Sequence, residues 1–402
     1  MASKKYPEAE FMIPSDQLVA HAIVGTAKNA AVNPDLARWA PGTVNRTPQV
    51  IYDINGQPLF YDFRVSRGKF TFGYVRVAAS RLLGSSVIAS ELGERLWSFE
   101  AAARKLAPKV KKEFAGAKIS APRLVCYSYP KLGVQFDVDG PAGKKRAIFD
   151  VASLARVPER VEAGDQREGF VAWSFYDSLA DDERKRRLAR FKKADGELAG
   201  LTAKMRREVL AARTVARVLD VLQLVYTRTA TKLLQYCTHY GHTHARSHHC
   251  FSLKGQQVND YCAVATCQMI LCYYRYYYSQ NDIAPALGYN AGGGCPPDQS
   301  PGYESLTCNH LDSSFDASAT WEKARDQINL LRPMKSGIPG HARAVAGYSY
   351  TWWKFSGIQD KKLYIYDPWP WNADYALGGA VVWEDWDAVT HTNYVYANVD
   401  CP

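Results

Sequence analysis

Cys262 opens the apolar run Cys-Ala-Val-Ala-Thr-Cys-Gln-Met-Ile-Leu, and Asn259 and Asp260 just before it are residue types that start helices. A thiol at a helix amino terminus feels the positive end of the helix dipole, which favours the thiolate. Gln256, six residues upstream, carries a side-chain amide that can donate to an oxyanion. His341 lies in Gly340-His341-Ala342, whose small neighbours let an imidazole approach a facing helix closely. Asp367 ends the strand-like run Leu363-Tyr-Ile-Tyr and can accept from the second imidazole nitrogen, fixing the tautomer. Trp369 can cover that hydrogen bond and exclude water. Nucleophile, base, orienting carboxylate and oxyanion donor are the four parts of acyl transfer through a thiol. Taken singly, each has a plainer reading: a buried Cys is usually core, a lone His structural, and an Asp before Pro a turn.

The elements that must carry these groups follow from pattern. A helix starting at Cys262 faces a β-rich region holding His341 and Asp367, so the carboxy-terminal part reads as two lobes. Composition turns abruptly to Tyr, Trp, Cys and Gly near residue 237, and the boundary falls between Thr231 and Phe251. Ahead of it, residues 1–151 read as a mixed α+β domain. Ser15 or Asp16 caps a helix, Asn55-Gly56 closes a hairpin between residues 49–54 and 59–65, and Phe70 to Val77 forms another strand. A helix is spaced on Leu92, Leu96, Phe99 and Ala103, and strands at Arg123 to Tyr129, Gly133 to Val138 and Arg146 to Val151 complete the domain. Residues 152–236 read as a helical arm and linker, with a long charged helical stretch from Asp181 to Thr227. Residues 237–402 form the third unit. Tyr273-Tyr-Arg-Tyr-Tyr-Tyr278 is expected to continue the Cys262 helix.

The segment Gln256-Gln-Val-Asn-Asp-Tyr-Cys262-Ala-Val-Ala-Thr-Cys-Gln-Met-Ile resembles the active-site segment of the streptopain group of papain-like cysteine peptidases. That group has Gln six residues before the Cys, then small residues, Thr, and Gln-Ile or Gln-Met. His341-Ala-Arg-Ala-Val-Ala-Gly-Tyr348 resembles the papain-type His segment, and Asp367-Pro-Trp369 sits where papain-like enzymes have Asn-x-Trp. Asp at that place is similar to the bacteriocin-processing, double-glycine peptidases. A Cys-Gly-x-Cys-Trp signature is absent, and so is a Trp-Gly-Trp near Trp369-Pro-Trp371, which leaves subfamily and specificity open. The resemblance covers roughly residues 250–370. A second likeness, of Tyr61-Asp-Phe-Arg-Val and the segments Gly68–Ser80 and Leu82–Ala89 to the streptopain prodomain, implies an amino-terminal domain that occludes the active site. The alternative is an unrelated α+β domain that binds substrate or a surface.

These likenesses imply an α+β protein with a papain-like two-lobe catalytic domain. They imply peptide-bond hydrolysis by Cys262, His341 and Asp367, with Gln256 as oxyanion donor and a self-inhibited proenzyme. Trp369, Gly293 and Gly340 are the expected substrate-binding residues, and no cofactor is required. The partners are a peptide or protein substrate and the intramolecular prodomain. Two rivals stay open: a transglutaminase or amidase with the same triad, and a non-enzymatic binding or assembly protein on a papain fold.

Composition bounds the rest. At 47% hydrophobic and 22% charged, the 402-residue chain is ordinary for a globular protein of two or three domains. Net charge is +10, yet the densest run, Arg184-Lys185-Arg186-Arg187, follows Asp181-Asp182-Glu183 and reads as an internally paired helix face. With no nucleic-acid motif, nucleic acid is not an expected partner. No apolar run of membrane-spanning length occurs. Eight of nine Cys lie from Cys237 onward, and an odd count fits one reactive thiol plus disulfides. This points to a secreted or cell-envelope location, with the cytoplasm as the alternative, since the amino terminus lacks a signal-peptide core. Cys237, His239, His242, His244, His248, His249 and Cys250 cluster without the spacing of a standard structural metal site, so no metal is expected and an exposed, cleavable linker is.

Overall fold

A computed structural model describes residues 7–141, 143–159, 168–223, 226–234, 251–353 and 358–399. The Asn55-Gly56 hairpin forms as its turn chemistry dictates. Asp53 and Asn55 side chains accept from the backbone amides of Asn55 and Gln57, at 2.8 and 3.0 Å. That turn sets the register of Gln49–Asp53 against Pro58–Arg67. Pro58–Arg67 pairs with Phe70–Ala78, and Phe70–Ala78 with Val87–Leu92. On the other side Gln49–Asp53 runs parallel to Arg123–Ser128, which turns back into Lys131–Gly140 and then Gly143–Asp150. The carboxy-terminal strands form a second antiparallel run: Leu311–Asp316, Asn393–Val399, Met334–Ile338, His341–Trp353, Ile358–Asp367 and Ala380–Asp385.

These two runs are one sheet. Ala380–Asp385 pairs with Val87–Leu92 through Val382↔Glu91, Trp383↔Ser90 and Glu384↔Ala89, so main-chain hydrogen bonds cross from the amino-terminal to the carboxy-terminal elements. Side chains reinforce the junction. Glu384 is buried, pairs with the buried Arg343, and accepts from Tyr129 Oη at 2.9 Å. The protein is thus α+β, with helix Ser15–Val32 packed on Phe70–Ala78 and Val87–Leu92 and helix Cys262–Tyr273 on Met334–Ile338 and His341–Trp353 of a mixed sheet.

Several local expectations change. The first helix spans Ser15–Val32, but its cap is Pro14, whose fixed φ sets the entry, and no side chain caps it. Leu92 ends a strand instead of starting a helix; the helix is Phe99–Glu113, capped by Ser98. The stretch from Asp181 breaks into Asp181–Ala199, Ala203–Ala211 and Val215–Leu222, each of the last two opened by a threonine cap. Thr227 lies in the strand Tyr226–Leu233, which pairs with His341–Trp353. Its alternating threonines suit a pleated surface once a partner strand is present. The helices hold to both sheet runs: buried Arg187 donates to Leu83 O, Ala388 O and Thr390 Oγ1 at 3.1, 3.2 and 2.7 Å. The Cys262 helix stops at Tyr273, because Arg275 takes a positive φ of 69°.

Removing one partner of a desolvated ion pair leaves a buried charge unmatched. Glu384→Ala is therefore expected to lower stability by about 3–5 kcal/mol, and Tyr129→Phe by about 1 kcal/mol. Urea unfolding checks this; an unchanged midpoint in Glu384→Ala would show that the junction does not hold the two runs together.

Candidate active site

Cys262 is the first residue of the helix Cys262–Tyr273 and is fully buried. The preceding loop is fixed by main-chain bonds: Gly255 N donates to Tyr375 O and Gln256 N to Pro368 O, at 2.8 and 3.1 Å. Trp371 Nε1 holds Gln257 O at 2.8 Å. Asp260 does not cap the helix, whose cap is Tyr261. Its carboxylate accepts from Tyr289 Oη and from Gly292 N at 2.9 Å, tying the glycine loop to the helix start.

His341 begins the strand His341–Trp353 and Asp367 ends Ile358–Asp367. His341 Nε2 lies 2.8 Å from Asp367 Oδ1, and Trp369 N donates to the same oxygen at 2.8 Å. The buried carboxylate thus orients the ring, leaving Nδ1 with no hydrogen-bond partner. The strand is brought against the helix start, where the backbone amide of Ala342, next to His341, favours the Cys262 thiolate. Burial still dominates. It pushes the Cys262 thiol up to about 11 and lowers His341 to about 4, against the support of Asp367. In this state both groups are neutral at pH 7.

The cause is a cover drawn from the amino-terminal half. Lys131, fully buried at the start of Lys131–Gly140, donates to Gly169 O and Gly340 O at 2.5 and 2.8 Å. Its ammonium is near enough to Cys262 and Asp367 to interact with both, and burial lowers its own pKa. Asp150 Oδ2 accepts from Trp369 Nε1 at 2.9 Å and from Tyr127 Oη at 2.8 Å. Trp173, held by its backbone on Tyr127 O, donates to Ser128 Oγ at 3.1 Å beside Gly340.

The structure brings Cys262, His341, Asp367, Trp369 and Gly340 together, the last in a turn at φ 73°. The Trp369 backbone amide bonds Asp367, while its indole donates to Asp150. Gln256 is buried nearby, but its Nε2 donates to Asn259 O at 2.6 Å and its Oε1 has no partner. Gly293 belongs to the loop that packs on Gly169. Lys131, Lys335 and Glu168 were not legible as site residues. Their one signal is a charged residue inside an apolar strand, as in Met334-Lys335-Ser-Gly-Ile338, whose residues are all buried. The expectation of disulfides finds no support: Cys126, Cys262, Cys267, Cys295 and Cys308 are free thiols. No cluster of potential metal ligands occurs among the described residues. The His-rich segment with Cys237 and Cys250 lies outside the described residues, as does Cys401. No helix among the described residues is long and apolar enough to cross a membrane.

Comparison with known proteins gives three results. The model described as the Peptidase_C39 like family matches residues 248–391. No curated protein matches. A solved structure described as UfSP from C. elegans aligns at 13% identity and a TM-score of 0.27, over 57% of this chain and 47% of that one, so the chain spans under half of that protein's length.

With a thiol raised to about 11, the ionised fraction at pH 7 is on the order of one in ten thousand. Alkylation of Cys262 in the intact chain, located by peptide mass, is expected to climb with pH up to about 11. The Lys131 ammonium favours the thiolate, so Lys131→Met should move that rise further up. A rate that levels off below neutral pH would contradict the dry, neutral site.

Proposed function

We propose that the protein is a cysteine peptidase that hydrolyses peptide bonds and is made as a self-inhibited proenzyme, a reading supported by the match of residues 248–391 to the C39-like peptidase family. The observation that carries this reading is the oriented His341–Asp367 pair, at 2.8 Å, next to Ala342, whose backbone amide lies against the Cys262 thiol at a helix amino terminus. In the reaction Cys262 attacks the scissile carbonyl and His341 takes the thiol proton. The imidazolium then gives that proton to the leaving amine, and water, deprotonated by His341, hydrolyses the thioester. Asp367 keeps Nε2 occupied, so Nδ1 is the working nitrogen. Gln256 is assigned the oxyanion, which requires its amide to turn away from Asn259 O.

Self-inhibition is supported by the cover of Lys131, Asp150 and Trp173. Uncovering the site admits water, which lets the thiol pKa fall and the imidazole pKa rise until a thiolate–imidazolium pair forms. Being part of the same chain, the cover acts at high effective concentration. In this reading residues 1–151 are the inhibitory domain, residues 152–236 the arm and linker, and residues 237–402 the catalytic unit. The same burial also favours a second reading, a non-enzymatic binding protein on a papain fold, because a dry, neutral cysteine is what such a protein would keep.

Turnover of an unfolded protein substrate separates the two. Cys262→Ala is expected to abolish it and His341→Ala to do nearly the same, since such residues act as a unit; Asp367→Ala should be milder. Gln256→Ala should cost about 10²–10³ in turnover. Cleavage of the chain between Thr227 and Phe251 should raise activity. Activity undiminished in Cys262→Ala would end the peptidase reading.

A further inference from the structure

Glu168 and Gly169 lie along the glycine loop, joined to it by an isolated antiparallel bridge. Glu168 N donates to Cys295 O at 3.2 Å and Cys295 N to Glu168 O at 3.3 Å, an antiparallel pairing. The approach is so close that a Cβ on Gly294, which has φ 68°, would come within 1.9 Å of Glu168 O. One on Gly169 would meet the backbone of Gly293 at 3.3 Å. Lys131 Nζ fixes the Gly169 carbonyl from the other side. This is how an extended peptide docks on a backbone edge: main-chain bonds give affinity and a side-chain pocket gives choice.

The pocket is there. The Glu168 side chain is buried, with Oε1 2.5 Å from Lys335 Nζ and Oε2 accepting from Gln299 Nε2 at 2.8 Å. Lys335 is fully buried and also bonds Asn393 Oδ1 and Pro297 O, at 2.6 and 3.0 Å. Gln299 Nε2 is further held by Pro296 O at 2.7 Å. All three pocket residues belong to the catalytic unit, whereas Glu168 belongs to the covering half. Glu168 also acts electrostatically on Cys262, so the pocket is close to the nucleophile.

We infer that Lys335, Gln299 and Asn393 form a carboxylate-binding subsite of the peptidase, which Glu168 fills as a stand-in for substrate, and that preferred substrates present an acidic side chain followed by glycine along residues 293–295. This rests on the peptidase reading above for hydrolysis but not for binding. Once Glu168 leaves, a buried lysine ammonium lacks its counter-charge, which is costly in a dry pocket. A glutamate side chain restores it and a glutamine does not.

The test uses the full chain with Cys262→Ala and Glu168→Lys, which sets two ammonium groups against each other and expels the stand-in without touching the pocket. Glu168→Gln in place of Glu168→Lys serves as the second variant should the lysine impair folding. A labelled peptide with the sequence of residues 167–172, Arg-Glu-Gly-Phe-Val-Ala, and its glutamine counterpart are titrated in by fluorescence anisotropy. The glutamate peptide is expected to bind at least about tenfold more tightly. Adding Lys335→Met should erase the difference. Equal binding of the two peptides, or binding of neither, overturns the subsite. Discriminating binding with no hydrolysis of either peptide by the Cys262 form of the same Glu168 variant keeps the subsite and removes the peptidase reading. Hydrolysis of both peptides at equal rates does the reverse.

Discussion

Three residue pairs, Val382↔Glu91, Trp383↔Ser90 and Glu384↔Ala89, join the amino-terminal and carboxy-terminal strands into a single sheet. What happens at Cys262 depends on that seam. An open sheet edge presents unpaired donors and acceptors that seek a partner, and here each run closes the other's edge. With the seam formed, Tyr129 reaches Glu384, and the following residues carry Lys131 and Asp150 to the His341–Asp367 pair. Tyr129-Pro130 is a cis peptide at this turn, the point where the chain passes from the seam to the nucleophile.

Dryness then sets the chemistry. A papain-type site works as an ion pair, and an ion pair needs either water or matched neighbours. The covered site has matched charges of its own, Glu168 on Lys335 and Arg343 on Glu384, while Lys131 is held by two backbone carbonyls. Cys262 and His341 are left neutral between them. The cover also brings its own cation near the thiol, so Lys131 partly offsets the burial it helps to impose. Opening need not rebuild the catalytic residues. In the proenzyme reading it has only to exchange the cover for water or substrate, since the His–Asp bond and the helix start belong to the carboxy-terminal half.

The parts of this arrangement legible in the sequence are those with a local signature. Asn55-Gly56 announces its hairpin, the run after Cys262 announces a buried helix, and Leu363 to Asp367 announces a strand that delivers a carboxylate. Cys262, His341 and Asp367 follow one another in the order that the papain-type resemblance implies, so they too could be found. Tyr226–Leu233 could not, because its charged and β-branched residues become a strand only when His341–Trp353 is there to pair with. Lys131, Glu168 and Lys335 were hidden for the same reason. A lysine at or near the start of an apolar strand reads as an exposed end until another element far off in the chain supplies the carbonyls or carboxylate that bury it. Asp260 looked like a helix cap and serves the glycine loop instead, a choice made by Tyr289 and Gly292.

In the proposed reading, the Cys262 thiol is held neutral and covered by the chain's own amino-terminal half, with Glu168 as the latch. The most direct measurement is the rate at which a thiol-directed epoxide labels Cys262, located by peptide mass, in the intact chain and in Glu168→Lys. Slow labelling of the intact chain is expected, and labelling at least about tenfold faster in the variant, with melting of the fold still cooperative. Equal rates in the two proteins would contradict it.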